Sequence, residues 1–441
     1  MTPAPAIATN KSAAAAAADT RHANRVLVLS TASFTLLFAV WLMFGVLGVP
    51  IREEFGLSKL QFTWLAAIAV LSGSLWRLPL GILADRVGGR VLLTGLMLAC
   101  AIPCFLVSRA TSYTQLMVCA FAFGIAGNAF SIGIAWNAAW TPPRRQGFAL
   151  GTFGAGNVGA SITKLAGPAL MSLIPSGLFG GLISGGWRFI PVLYAALTVV
   201  AAAAVWFLAP TPDRRPGSGR TLPAMLRPLR EVRIWRFGLY YIVVFGAYVA
   251  LSLWLPTTYK TVFHLSLGKA SLLTALFIFP ASLLRPVGGW LSDRFGPRQV
   301  TYAVFLSMAV ACIPLCAPAG TLGSTLGLVG FFCCVEVLAV GMGIGKASVY
   351  KYIPEYFPQD VGAVGGLVGT LGALGGFLLP LAFGYLDAST GRPESCFWVM
   401  LGLVLTSLAW LHLVVVGLNR RGRRPKRQSH AFDVSTSADA A

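Results

Sequence analysis

Trp76-Arg77-Leu78-Pro79-Leu80-Gly81-Ile82-Leu83-Ala84-Asp85-Arg86-Val87-Gly88-Gly89-Arg90 occurs in this chain twice, in outline. The second copy reads Leu284-Arg285-Pro286-Val287-Gly288-Gly289-Trp290-Leu291-Ser292-Asp293-Arg294-Phe295-Gly296-Pro297-Arg298. Arg285, Gly289, Asp293, Arg294, Gly296 and Arg298 each lie 208 positions after Arg77, Gly81, Asp85, Arg86, Gly88 and Arg90. A repeat of nearly half the chain length predicts two related halves. Arg77 and Arg285 fall inside apolar segments. An arginine in hydrocarbon costs at least ~2.5–3.5 kcal/mol on insertion scales, so two at matching depth mark a functional site.

The composition fixes the solvent. Of 441 residues, 56% are hydrophobic and 11% charged, against roughly 25% charged in a soluble domain. The chain is therefore a polytopic membrane protein. Its net charge of +20 is spread over loops, not gathered into a surface that could grip nucleic acid. The eight cysteines lie mostly in apolar segments, with Cys100 and Cys104, and Cys312 and Cys316, at the i, i+4 spacing of helix packing. That pattern implies neither a metal site nor disulfides. The start, Met1 to Asp19, does not read as a signal peptide. The apolar segment after it is too long for a cleaved one.

Stretches of about 18 or more apolar residues fall at 27–50, 60–83, 91–108, 114–140, 148–175 and 187–209, then at 235–259, 269–291, 299–317, 324–350, 362–386 and 396–418. The expected fold is all-α: twelve transmembrane helices in two pseudo-symmetric halves. The expected organisation is an N-terminal tail (1–26), a first half (27–209), a linker (210–234), a second half (235–418) and a basic tail (419–441). With both termini inside, 23 basic residues fall on inside segments and seven on outside loops. The positive-inside rule then sets both termini in the cytoplasm.

Four of the 34 basic residues remain, all within spans: Arg77, Lys164, Arg285 and Lys346. The clear intramembrane acid is Glu336. One acid cannot pair four bases, and unpaired buried cations are no stability device. An anion visiting a central cavity completes the pairing. Glu336 reads either as the fixed partner of one lysine or as a proton carrier. Two spans are glycine-rich. The fifth holds Gly151, Gly154, Gly156, Asn157 and Gly159 before Lys164. The eleventh holds Gly362, Gly365, Gly366, Gly369, Gly372, Gly375 and Gly376. Glycines at three- and four-residue spacing give a smooth face. That face serves tight packing, or helix motion beside a small ligand. Asn157 among them is a helix clasp or a ligand donor.

The loop Gly81 to Arg90 and its second copy resemble the signature loop of the major facilitator superfamily. Within it, the chain resembles the nitrate/nitrite porter family. Ala155-Gly156-Asn157-Val158-Gly159, and Gly366 to Gly376 with Phe377 and Pro380, are similar to that family's two nitrate signatures. The resemblance implies that Arg77 and Arg285 are the substrate-binding arginines, with Asn157, Tyr241, Phe245 and Phe130 lining the site. The shared 208-residue offset points to gating by Gly81, Asp85, Arg86 and Arg90 and by Gly289, Asp293, Arg294 and Arg298, the two acids pairing with inside-loop arginines or capping neighbouring helix starts. Close helix approach points to gating along Gly156, Gly159, Gly369 and Gly372. Relatives that exchange nitrate for nitrite are expected to have an amide near Lys164 and no lysine at Lys346. The two lysines therefore point to the proton-coupled branch.

Nitrate is planar, weakly hydrated and singly charged, and an arginine fork offers parallel donors to two of its oxygens. None of the histidines His22, His264, His412 and His430 falls in the expected cavity. Lysine can release a proton where arginine cannot, so Lys164, Lys346 and Glu336 are the candidate proton carriers. The expected partners are nitrate or nitrite, protons and membrane lipid, with no cofactor, nucleic acid or obligate protein partner. The expected activity is nitrate transport across the inner membrane, by proton symport or by nitrate/nitrite antiport. A carrier of another small anion is the second class. A membrane enzyme or sensor is the third, and no nucleophile elbow, P-loop or spaced metal ligands support it.

The charge bias predicts that green fluorescent protein fused after residue 441 fluoresces, and that alkaline phosphatase fused there is inactive. The opposite pair of readings reverses the topology.

Overall fold

The computed structural model describes residues 6–174, 186–317 and 327–422. The expected end of the fifth span at 175, the start of the tenth at 324–326, residues 1–5 and the tail from 423 lie outside them. In hydrocarbon every backbone polar group must be satisfied within the segment, so the apolar runs fold as helices. In chain order these are α1 (Ala6–Trp41), α2 (Lys59–Leu75 then Arg77–Val87), α3 (Gly89–Val107), α4 (Tyr113–Trp140), α5 (Gln146–Gly154, Ala155–Val158, Gly159–Leu173), α6 (Phe189–Leu208), α7 (Val232–Thr261), α8 (Leu267–Leu283 then Arg285–Phe295), α9 (Pro297–Leu315), α10 (Gly327–Tyr356), α11 (Val361–Thr390) and α12 (Ser395–Gly422). Among the described residues ten helices are long and apolar enough to span by themselves, and the bent α2 makes an eleventh. α5 is the twelfth, in three short helical pieces.

α2 bends by 41° at Trp76. α8 breaks at the matching residue, Leu284. Pro79 and Pro286 follow within three residues, and a proline cannot donate to the helix ladder. Arg77 and Arg285 are thus each the first residue of a new helical piece. After each piece the chain turns at a glycine with positive φ, Gly88 at 98° and Gly296 at 84°. Other residues reach that region only with strain.

The halves meet where α2 crosses α11 and where α5 crosses α8. Glycine makes both crossings possible: a methyl on Gly81 would strike the Gly362 carbonyl, and one on Gly289 the Gly147 carbonyl. Beside each crossing a signature carboxylate caps the partner helix. Asp85 Oδ2 accepts the Gly362 N–H at 2.9 Å. Asp293 accepts the N–H groups of Gly147 and Phe148 at 3.0 and 2.8 Å. An anion at a helix N-terminus satisfies an orphan donor and the helix dipole together. Both caps cross from one half to the other, so they close the face that carries the signature loops.

The two closures are not equal. Asp293 also pairs with Lys351 at 2.7 Å, and Lys351 donates to the Pro143 carbonyl at 2.7 Å. Asp85 makes no ion pair among the described residues, and its Oδ1 is buried there without a hydrogen-bond partner. Nor, among the described residues, does a loop arginine pair with either carboxylate. Arg86 and Arg294 are exposed, the latter over the Trp290 and Phe295 rings. Arg90 donates to the Trp206 carbonyl, and Arg298 to the Tyr356 hydroxyl at 3.4 Å.

The linker is tied to both halves on this face. Asp213 accepts from the Trp136 and Trp140 indoles and from the Arg90 N–H, each at 2.9 Å. Further on, the Gly217 N–H donates to the Asp85 carbonyl at 2.9 Å, and Arg220 pairs with Asp360 at 2.6 Å.

Asp293→Asn is expected to loosen the closed loop face more than Asp85→Asn. It leaves Lys351 without its carboxylate, and breaking a largely buried pair costs on the order of 3 kcal/mol. Labelling of a cysteine in the cavity from the loop side should rise in that order. Equal labelling of both variants and the parent protein would assign the carboxylates no gating role.

Candidate substrate site between the halves

Each half sends one arginine to the same ring. The Arg77 and Arg285 guanidinium carbons lie 5.6 and 5.3 Å from the centre of Phe130. Both side chains are buried, at 1% and 0% exposure. Arg77 is anchored. Its Nε donates to Gly73 O and its Nη1 to Gly369 O, both at 3.0 Å, with Trp41 and Phe245 at 5.4 and 5.6 Å. Arg285 is not: none of its three guanidinium nitrogens has a hydrogen-bond partner among the described residues. A buried donor left unsatisfied costs about 1–3 kcal/mol, more when charged. The fork of Arg285 is therefore held ready for an acceptor.

Aromatic rings wall the space between the arginines. Tyr241 stacks on Phe245 at 5.1 Å with planes 7° apart, and parallel to Phe130 at 6.3 Å and 13°. Tyr350 stands edge-on to Phe130 at 5.0 Å and to Tyr241 at 4.7 Å, its hydroxyl donating to Gly365 O at 2.9 Å. The Tyr241 hydroxyl and both amide atoms of Asn157 are buried without a hydrogen-bond partner among the described residues. Lys346 is fully buried, donating to Ala281 O at 3.1 Å with its ammonium 3.1 Å from the Tyr248 ring centre. No carboxylate pairs with Arg77, Arg285 or Lys346 among the described residues.

Helix irregularities set these side chains. Phe130 follows a tight turn of α4 at Ile125–Asn128, and Asn157 sits in the corresponding turn of α5, Ala155–Val158. Tyr241 and Phe245 flank and enter a wide turn of α7, Ile242–Gly246. Broken helices are tolerated at membrane depth where they line a cavity.

The structure gathers Arg77, Arg285, Phe130, Tyr241, Phe245 and Lys346, and buries Asn157 one turn beyond Gly154 on α5. It does not gather Glu336. That carboxylate is half-buried in a groove on the outer face of the second half, among Val300, Val304 and Val337. It makes no ion pair with Lys346 among the described residues, and the expected pairing with Lys164 lies outside them. The Lys164 side chain lies outside the described residues. Gly369 and Gly372 face the cluster, against Arg77 with Tyr350 and against the Tyr241 ring. Gly156 and Gly159 face α1 instead, at Phe34, Thr35 and Ala39.

Sequence reasoning missed Gly154, Tyr350 and Lys351. A methyl at Gly154 would strike the Arg285 guanidinium. A signal for it existed. Gly362, Gly366 and Gly369 lie 215 positions after Gly147, Gly151 and Gly154, and each set lines the arginine helix of the other half.

A fold of two six-helix halves around buried, unpaired cations is that of a membrane carrier. The comparisons agree. The Major Facilitator Superfamily profile matches residues 29–380. A protein of Thermus thermophilus described as a probable nitrate/nitrite antiporter, NarK1, is 60% identical over 89% of this chain and 92% of its own. The nitrite extrusion protein of Bacillus subtilis is 30% identical over 88% and 94%. Among solved structures, the transporter FucP in the outward conformation superposes with a TM-score of 0.67 at 18% identity, covering 88% of this chain and 99% of that one. The chain belongs to the major facilitator superfamily and, within it, to the nitrate/nitrite porter family; it is a carrier, not an enzyme.

Arg285→Lys and Arg77→Lys, each losing a two-pronged donor, are expected to raise the substrate KM or lower transport at least tenfold, the scale of a lost charged hydrogen bond. Gly154→Ala should weaken transport by displacing Arg285 without altering any charge. Parent-like transport by well-inserted Arg285→Lys protein would remove it from the substrate.

Proposed function

We propose that this protein carries nitrate across the cell inner membrane by alternating access, with both termini cytoplasmic and proton symport driving uptake. In this reading residues 27–209 and 235–418 are the two moving units, and 210–234 joins them. The carrying observation is the pair of guanidinium groups on Phe130, one per half, with no carboxylate paired to them among the described residues. A planar monoanion fits between such forks and can lie on a ring face. Phosphate or an organic acid would ask for more polar side chains than the aromatic walls and glycine faces supply. The names of the relatives support nitrate and nitrite as the substrate class.

Proton coupling rests on Lys346. It is buried beside the arginines, and an ammonium can release a proton where a guanidinium cannot. An anion entering the cluster favours the charged lysine, so substrate and proton bind with positive linkage. That linkage is reciprocal: the factor by which nitrate raises proton affinity is the factor by which the proton raises nitrate affinity. The second reading is nitrate/nitrite exchange, favoured by the description of the 60% identical relative as a probable antiporter. There Lys346 is a fixed electrostatic support.

Purified protein in vesicles separates the two. With an inward proton gradient and no internal nitrite, nitrate uptake is expected, and Lys346→Gln is expected to flatten its pH dependence while leaving nitrate exchange running. Uptake that requires internal nitrite and ignores the gradient would establish exchange.

A further inference from the structure

We propose that the linker between the halves holds a binding site for the phosphate headgroup of an anionic phospholipid. The site is a cleft of about 780 Å³ under the start of α11, lined by Arg220, Leu226, Arg227, Pro228, Arg230 and Asp360. Three guanidinium groups face one carboxylate. Asp360 is already taken by Arg220 at 2.6 Å. Arg227 and Arg230 have no ion pair or hydrogen bond among the described residues, and the nearby Glu231 lies 3.9 Å from Arg233. The cleft therefore presents two uncommitted planar forks, the group best matched to phosphate oxygens.

The surroundings select a lipid over a soluble anion. The chain enters the spanning helix α7 at Val232, two residues after Arg230. Val232, Trp235 and Leu222 are 67%, 50% and 47% exposed, so apolar side chains stand out beside the arginines. The Trp235 indole donates back to Leu229 O at 3.3 Å, which holds its ring beside the Arg227–Arg230 turn. Tryptophan next to arginine at a helix entry is the composition of the membrane–water boundary. A phosphate bound by Arg227 and Arg230 leaves the acyl chains against Val232 and Trp235. A soluble phosphate would use the charges and leave the apolar rim bare. The headgroup then sits against the segment where Arg220 ties the linker to α11, the helix whose first turn Asp85 caps.

The test is native mass spectrometry of the intact protein in detergent at fixed ionic strength, titrated with phosphatidylglycerol or phosphatidylcholine. Phosphatidylglycerol should bind preferentially. Each of Arg227→Gln and Arg230→Gln should weaken it about fivefold, the scale of one surface arginine facing anionic lipid. Arg233→Gln, outside the cleft, should leave the affinity unchanged. Equal binding of the two lipids overturns the proposal, and so does a loss from Arg233→Gln as large as that from Arg227→Gln, which marks diffuse surface charge. Displacement of the lipid by millimolar inorganic phosphate overturns the lipid assignment in favour of a soluble anion. None of these readings depends on which substrate is carried.

Discussion

Burying like charges between two halves is the constraint on which the rest of this structure depends. Arg77, Arg285 and Lys346 lie close together, out of water, with no carboxylate paired to them among the described residues. Carbonyls and ring faces offset part of the cost. Arg77 takes two carbonyls, Gly73 O beside the α2 bend and Gly369 O on α11, and Lys346 takes one. Aromatic faces add attractions of about 0.5–2 kcal/mol each. Arg285 has ring contact and the Tyr241 hydroxyl beside it but no carbonyl anchor among the described residues, so one fork is fixed in place and the other is the more open to an acceptor.

The proposed alternating access asks the halves to approach and part over this site. Glycine supplies the approach, because backbone meets backbone at Gly81 with Gly362 and at Gly147 with Gly289. Carboxylates supply the hold, capping helix starts across the same crossings. Caps suit a gate better than arginine–carboxylate pairs do. A helix amide exposed on opening can find water, whereas a separated buried ion pair leaves a naked charge. The extra Lys351 at the α5–α8 crossing makes that closure the tighter one.

The candidate site residues Arg77, Arg285, Phe130, Asn157, Tyr241 and Phe245 sit at breaks: two kinks beside prolines, two tight turns and one wide turn. Each break rotates the side chains that follow it, and so decides which residues of an apolar helix face the cavity. Five interrupted helices converge here because membrane depth permits irregular backbone only where protein or a cavity can satisfy it.

Much of this was legible along the chain. The 208-residue repeat determined two related halves, the apolar runs gave the spans, and two arginines at matching depth marked the site. These are signals within one segment, where hydropathy and charge at a known depth carry a direct energetic cost. The partner across an interface carries no such local signal. That Gly154 makes room for Arg285, that Tyr350 packs on both Phe130 and Tyr241, that Lys351 secures Asp293, and that Glu336 lies away from the arginines all depend on helix rotation. Rotation accumulates through kinks and turns that shift the 3.6-residue phase. Only the packed tertiary structure, bringing α5 to α8 and α2 to α11, decided them.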